Sequence, residues 1–235
     1  MKKTILLGIM SLLFVTNIFA QSSGDNSVYI DQTNADNSTV SITQTGSGNK
    51  VGDRADLVTP AFIIDGNAMD LTIVQDGMNN IIVGNFIGGD STANIIQTGS
   101  TNSTTMTMGI FGTNAGSMNL TLTGDNNTTN WTFGSTANAG NYNYNLLAVG
   151  NSNAITSTIN SKYVENNITI TGDSNTYTTT QSGANGTSTT VGHKITSTII
   201  GSQNVVSITQ NGTTTPNIVT LNVTGSGTTH TIIQH

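Results

Sequence analysis

No cysteine occurs anywhere in this sequence, which excludes disulfide staples and thiolate chemistry. Proline is nearly absent too, at Pro60 and Pro216 alone. Because proline cannot donate to a β-ladder, both are expected in arcs or loops. Charged residues make up 8% and aromatics 5% of the 235 residues. Of the six basic residues, Lys2 and Lys3 stand at the start, leaving Lys50, Arg54, Lys162 and Lys194 against twelve acids. A phosphate backbone needs a basic surface, so nucleic acid is excluded as a partner. Nine of the acids fall between Asp25 and Asp90, which makes the N-terminal part the charged one. Solubility and spacing of strands are the plain reading of that asymmetry, and an acidic cation-binding face the much rarer one.

There is a single long apolar run, Ile5 to Phe19, preceded by Lys2 and Lys3 and followed by Ala20 and the polar Gln21. A membrane anchor is the competing reading, but a spanning helix needs about 20 apolar residues. The pattern predicts an export signal over 1–20, cleaved after Ala20, and a secreted mature chain over 21–235. Beyond it no stretch has helical periodicity.

What the sequence has in abundance is Thr, Asn, Gly and Ser, with Ile, Val and Leu set among them at intervals of two. Such a polar composition is compatible with disorder, but alternations such as Leu120-Thr121-Leu122, Ile168-Thr169-Ile170 and Leu221-Asn222-Val223 are strand signals. The fullest example is Val40-Ser41-Ile42-Thr43-Gln44-Thr45-Gly46-Ser47-Gly48-Asn49. Val40, Ile42 and Gln44 share one face of an extended segment, and Ser41, Thr43 and Thr45 the other. Gly46 and Gly48 then supply a reversal.

This phrase repeats, and repetition at a fixed step decides the fold. Gln32 and Asn37 stand twelve residues before Gln44 and Asn49. Later copies carry Gln75, Gly77 and Asn80, then Gln97, Gly99 and Asn102, and then Gln210 and Gly212. Others keep the turn without the glutamine: Gly124 with Asn127, Gly150 with Asn153, Gly172 with Asn175, and Gly201 with Asn204. Gln181 and Gly183 make a further partial copy. The units predict an all-β solenoid of stacked strand-arc-strand repeats, about 22–25 residues per rung, with roughly nine rungs at ~4.8 Å. Two stretches interrupt the rhythm, 50–69 and 135–145, the second reading as an outward loop whose alternate Tyr142 and Tyr144 suit an adhesive surface, core packing or a solvent-facing pair about equally. Inward glutamines and asparagines are expected to ladder, each amide bonding its equivalent above and below.

On these residues the chain resembles the curlin repeat of curli-type bacterial amyloid subunits. That repeat is a serine, five residues, then Gln-x-Gly-x-x-Asn, and Ser38 followed after five residues by Gln44 to Asn49 matches it in full. In the copy built on Gln75, Gly77 and Asn80, Met69 holds the serine place. The resemblance implies a secreted subunit that polymerises with itself, end to end, into a cross-β-like surface fibre of a biofilm matrix. It also implies a nucleator subunit and an outer-membrane export apparatus as partners. The family's major subunits carry an export segment before the first repeat, whereas here Gln21 to Ser27 alone precede Val28.

Enzymatic function has no support in the sequence. His193, His230 and His235 are the only histidines, none with a partner pattern for metal or nucleophile chemistry, and solvated positions are expected for them. No Gly-x-Ser-x-Gly elbow is present. No cofactor, metal or small-molecule substrate is therefore expected. Two rivals to the fibre subunit remain. A monomeric β-helical adhesin with capped ends would share the fold. An ice-binding β-solenoid would show Thr-x-Thr on one face of nearly every rung. Pairs such as Thr105/Thr107, Thr121/Thr123 and Thr229/Thr231 read as scattered between coils.

Overall fold

Branched Val, Ile and Thr side chains suit a pleated surface better than a helix, and alternation gives each segment one apolar face. A computed structural model describes residues 26–234 apart from 29, 33–34, 53–61, 100, 110–115, 125, 134–140, 151, 160–162, 173, 183–192, 202, 212–216 and 226. The described residues form strands and no helix. In chain order they are β1 Thr39–Thr45, β2 Ile64–Asp65, β3 Asp70–Asp76, β4 Ile82–Ile87, β5 Thr92–Thr98, β6 Thr104–Gly109, β7 Gly116–Thr123 and β8 Thr129–Phe133. They continue as β9 Asn141–Val149, β10 Ile155–Ile159, β11 Tyr163–Thr171, β12 Tyr177–Gln181, β13 Lys194–Ile200, β14 Val205–Gln210, β15 Ile218–Thr224 and β16 Thr229–Gln234.

Odd-numbered strands build one eight-stranded sheet in sequence order and even-numbered strands the other. Every pairing is parallel. The chain passes from one sheet to the other and back in each coil, so the fold is the expected parallel β-solenoid. Equivalent residues recur at steps of 31, 22, 25, 26, 22 and 29, a wider spread than the repeat spacing implied.

The core is a thin layer between the sheets. Ile42, Ile73, Ile95, Leu120, Leu146 and Ile168 form one inward column of the odd sheet. Its middle is aromatic: the Trp131 ring lies 4.3 Å from that of Tyr144, tilted by 59°, and Tyr177 is also fully buried. Tyr144 thus corrects the reading of 135–145 as a loop, because Asn141 to Asn145 belong to β9. The stretch 50–69 is also partly regular. Val51 and Gly52 are buried in the solenoid, and beyond 53–61, which lie outside the described residues, Phe62 and Ile64 are again in the core. Gly84 makes room for Phe62, since a Cβ there would come within 1.9 Å of the Phe62 Cβ.

The two connections of each coil differ in kind. From odd to even strand the chain turns through a short Gly-x-x-Asn arc. From even to odd it takes stretches as unlike as 88–91, 134–140 and 182–193. Length variation is confined to that side, apart from 53–61 and the two-residue strand β2. Pro60, Gly183, Gly212, Pro216 and His235 lie outside the described residues.

Candidate functional site: the buried amide ladders

The short arc explains the Gly-x-x-Asn spacing. Its glycines stack so closely that a Cβ on Gly77 would fall 1.5 Å from the Gly46 carbonyl oxygen. The same holds up the column, where Gly99, Gly124, Gly150, Gly172, Gly201 and Gly225 each meet the carbonyl of the glycine one rung before. No side chain fits there. Each glycine carbonyl is in turn available to the asparagine three residues on: Asn49, Asn80 and Asn102 donate Nδ2 to Gly46, Gly77 and Gly99 at 3.0, 2.9 and 3.2 Å.

Those asparagines form a continuous buried ladder. Asn80, Asn102, Asn127, Asn153, Asn175 and Asn204 each donate Nδ2 to the Oδ1 of the asparagine one rung earlier, at 2.5–2.7 Å. All are at most 1% exposed. The ladder stops at Asn204, whose Oδ1 is buried without a donor, because the next residue in this column is Thr228. Asn26, also buried, lies beside Gly46 below Asn49 and opens the column. It carries none of the repeat pattern that marks the others.

Glutamines form two shorter ladders. In the odd sheet Gln44 donates Nε2 to Gln75 Oε1, and Gln75 to Gln97 Oε1, both at 2.7 Å. The same nitrogens reach backbone carbonyls, that of Lys50 for Gln44 and that of Ile81 for Gln75. In the even sheet Gln181 donates to Gln210 at 2.7 Å and Gln210 to Gln234 at 3.4 Å. The ladders sit in opposite sheets at opposite ends of the solenoid. The column that carries Gln181 and Gln210 holds Ile64 and Phe86 at the other end of the even sheet, and the column that carries Gln44, Gln75 and Gln97 holds Ile170 and Ile199 at the other end of the odd sheet.

Both ladders are closed where they end inside the molecule. Gln97 turns its Nε2 to Thr104 Oγ1 at 2.6 Å, since its next partner in register is Leu122. Gln181 Oε1 accepts from Asn166 Nδ2 at 2.9 Å. Thr104 and Asn166 are buried and had no signal in the repeat pattern, because their role depends on which rung lies beside them. At the outer ends nothing among the described residues closes them: Gln44 Oε1 is buried without a donor, and Gln234 is exposed.

Two residues fall elsewhere than the twelve-residue spacing suggested. Gln32 pairs with Ile64 in the even sheet and heads the column that ends in Gln181, Gln210 and Gln234. Asn37 stays out of the asparagine ladder. It is exposed at the other arc with a φ of 56°, in line with Ala68 at 53° and Asp90 at 52°.

His193 is not solvated as expected. It is fully buried with Nδ1 2.7 Å from Asn217 Oδ1, while His230 is exposed. Among the described residues no group of three metal-ligating side chains converges. Burial pushes the phenols of Tyr144 and Tyr177 above their ordinary range, with mutual repulsion adding at Tyr144.

The outer faces differ from each other. The odd sheet carries Asp70, Asp76 and a Glu165–Lys194 pair at 2.6 Å among Ile96, Leu147 and Ile200. It also carries a second, half-buried asparagine ladder, Asn94, Asn119, Asn145 and Asn167, at 2.7–2.9 Å. The even sheet presents two columns without charge. One runs Thr105, Asn130, Thr156, Thr178, Ser207, and the other Thr107, Thr132, Thr158, Thr180, Thr209. Threonine pairs are therefore gathered, not scattered: Thr105/Thr107, Thr156/Thr158 and Thr178/Thr180 share this face, while Thr121/Thr123 lies in the other sheet. No protein-family model, curated protein or solved structure matches the chain.

Proposed function

We propose that this chain is the structural subunit of an extracellular, curli-like amyloid fibre that serves a biofilm matrix and surface adhesion. The observation that carries the reading is the contrast between ladder ends. The two glutamine ladders are closed by Thr104 and Asn166 inside the molecule and, among the described residues, left open at its outer ends. A buried amide without a partner costs about 1–3 kcal/mol, so a further rung at either end is favoured. The strands agree with this, because β16 is exposed along its whole length and Ile218, Ile232 and Ile233 are each at least 40% exposed. Natural solenoids and sheets normally cap or charge such edges. Export of the chain through the leader at 1–20, and a nucleator and an outer-membrane apparatus as partners, belong to the same proposal and rest on the resemblance.

The test is assembly of the chain from Gln21 onward, followed by a cross-β-sensitive dye and electron microscopy. The expected result is a lag removed by sonicated fibres, and diffraction at the strand and sheet spacings. A chain that stays monomeric for days favours the capped adhesin instead.

A second reading is favoured by the threonine columns of the even sheet. A flat, uncharged array of hydroxyl and methyl groups at strand spacing is what an ice-binding face requires. Freezing hysteresis at modest concentration, lost in a Thr158→Tyr/Thr180→Tyr variant, would support it. Absence of hysteresis removes this reading and leaves the threonines as strand formers on a solvated face.

A further inference from the structure

The outer face of the odd sheet carries more than a solvated face needs. Its ladder of Asn94, Asn119, Asn145 and Asn167 makes a strip of amides along the solenoid axis. Beside that strip stand Ile96, Leu147, Val149 and Ile200, 37–46% exposed. Ile96 and Leu147 share one outward column with Thr121 between them, and Val149 and Ile200 share the next with Thr171 between them. Their placement is symmetric. Leu147 and Val149 both lie on β9, while Ile96 on β5 is two strands to one side of it and Ile200 on β13 two strands to the other. Charge stays at the margins of this region. Asp70 and Asp76 stand on β3, beyond Ile96, and Glu165 is paired with Lys194 across the asparagine strip from the apolar columns.

From this geometry we infer that the odd sheet is an interface for a second copy of the chain, packed face to face about a two-fold axis that runs along β9. A symmetric contact needs a surface that matches itself when inverted, and this one does. Leu147 and Val149 meet their own equivalents at the axis, and Ile96 of each copy lies diagonally across from Ile200 of the other. Asn145 faces its equivalent and Asn119 faces Asn167, so the N–H groups and lone pairs that the ladders leave unused find each other across the junction. A two-fold along the solenoid axis would instead lay Leu147 over Asn145, setting apolar groups against amides.

The size of the face agrees. Seven strands, β3 to β15 of the odd sheet, at ~4.8 Å and four outward columns ~7 Å apart cover about 34 by 20 Å, or roughly 700 Å² per copy. Both copies together pass the ~1,000 Å² that a specific interface requires. Asp70, Asp76 and the Glu165–Lys194 pair fall at its rim, where water reaches them. The contact lies on the flank of the solenoid and leaves both ends free, so it stands apart from growth at those ends.

Sedimentation velocity on the freshly dissolved chain, run within the lag of any assembly, reads the pairing directly. A dimer at micromolar concentration is expected for the parent. Leu147→Lys sets two ammonium groups together at the axis and should weaken the dimer about hundredfold, whereas Asn79→Lys in an exposed arc should leave it unchanged. Register has its own check. Ile200 faces Thr98 of the other copy but lies four strands from it within one chain. Ile200→Lys and Thr98→Glu should each weaken the dimer, and together restore it through two ion pairs across the junction. A parent that sediments as a monomer, or a dimer indifferent to Leu147→Lys, overturns the pairing whether or not fibres form. A double variant that regains nothing of what the single ones lose overturns the two-fold along β9.

Discussion

At the scale of single residues, the sequence is most legible where the backbone leaves no choice. The arc glycines are fixed by the carbonyl of the rung below, so they persist in copies that lose the glutamine. Gly99→Ala should therefore be among the most damaging small changes. Its Cβ would meet the Gly77 carbonyl oxygen at 1.6 Å, and the φ of 130° is one that alanine avoids. A loss of at least ~3 kcal/mol is expected, read as a lowered urea midpoint of the unassembled chain. A variant within 1 kcal/mol of the parent, about the effect of an ordinary substitution, would show that neighbouring coils can separate at that arc. Thr104 and Asn166 were beyond sequence reasoning for the opposite reason. Neither belongs to a local pattern, and each matters because a ladder from another part of the chain happens to end beside it. His193 is a similar case: its burial follows from where the coil places it, which its immediate neighbours do not reveal.

Single elements carry a different kind of information. Period-two alternation gave the strands and their inward faces, including the burial of Gln44, Gln75 and Gln97. It did not reveal that the two connections of a coil are different, so Asn37 was grouped with asparagines from the opposite arc. The ladders also set register. Side chains in a strand alternate, so a slip of one residue would turn every inward group outward, and an amide that must meet its equivalent resists this more specifically than an apolar group does. Replacing Gln44 and Gln75 together by Leu keeps their size and removes this preference. Slower assembly and a less uniform product are expected in seeded kinetics and electron micrographs, although the chain becomes more hydrophobic. Fibres formed as fast and as evenly as the parent's would mean that the glycine column and the asparagine ladder are enough to fix the register.

For the whole molecule, the aromatic middle sets the response to pH. Tyr144 and Tyr177 are buried, and burial is the larger cause of their raised pKa values. A phenol raised in the folded state leaves stability intact below its unfolded value, about 10, and removes it as pH climbs from there toward the folded value. Unfolding above about pH 10 should coincide with tyrosinate absorbance, and Tyr144→Phe should move the transition upward if the variant folds. Ionisation of these rings without loss of structure would place them nearer water than the core allows. The solenoid as a class was readable from repetition, whereas its uneven rung lengths were not, since the steps differ only along the even-to-odd edge and at 53–61. That edge has a use in a polymer. Any peptide spliced between β12 and β13, where twelve residues already separate the strands, would emerge on the same flank of every subunit, and a filament of such chains would display its guests in a single file along one side.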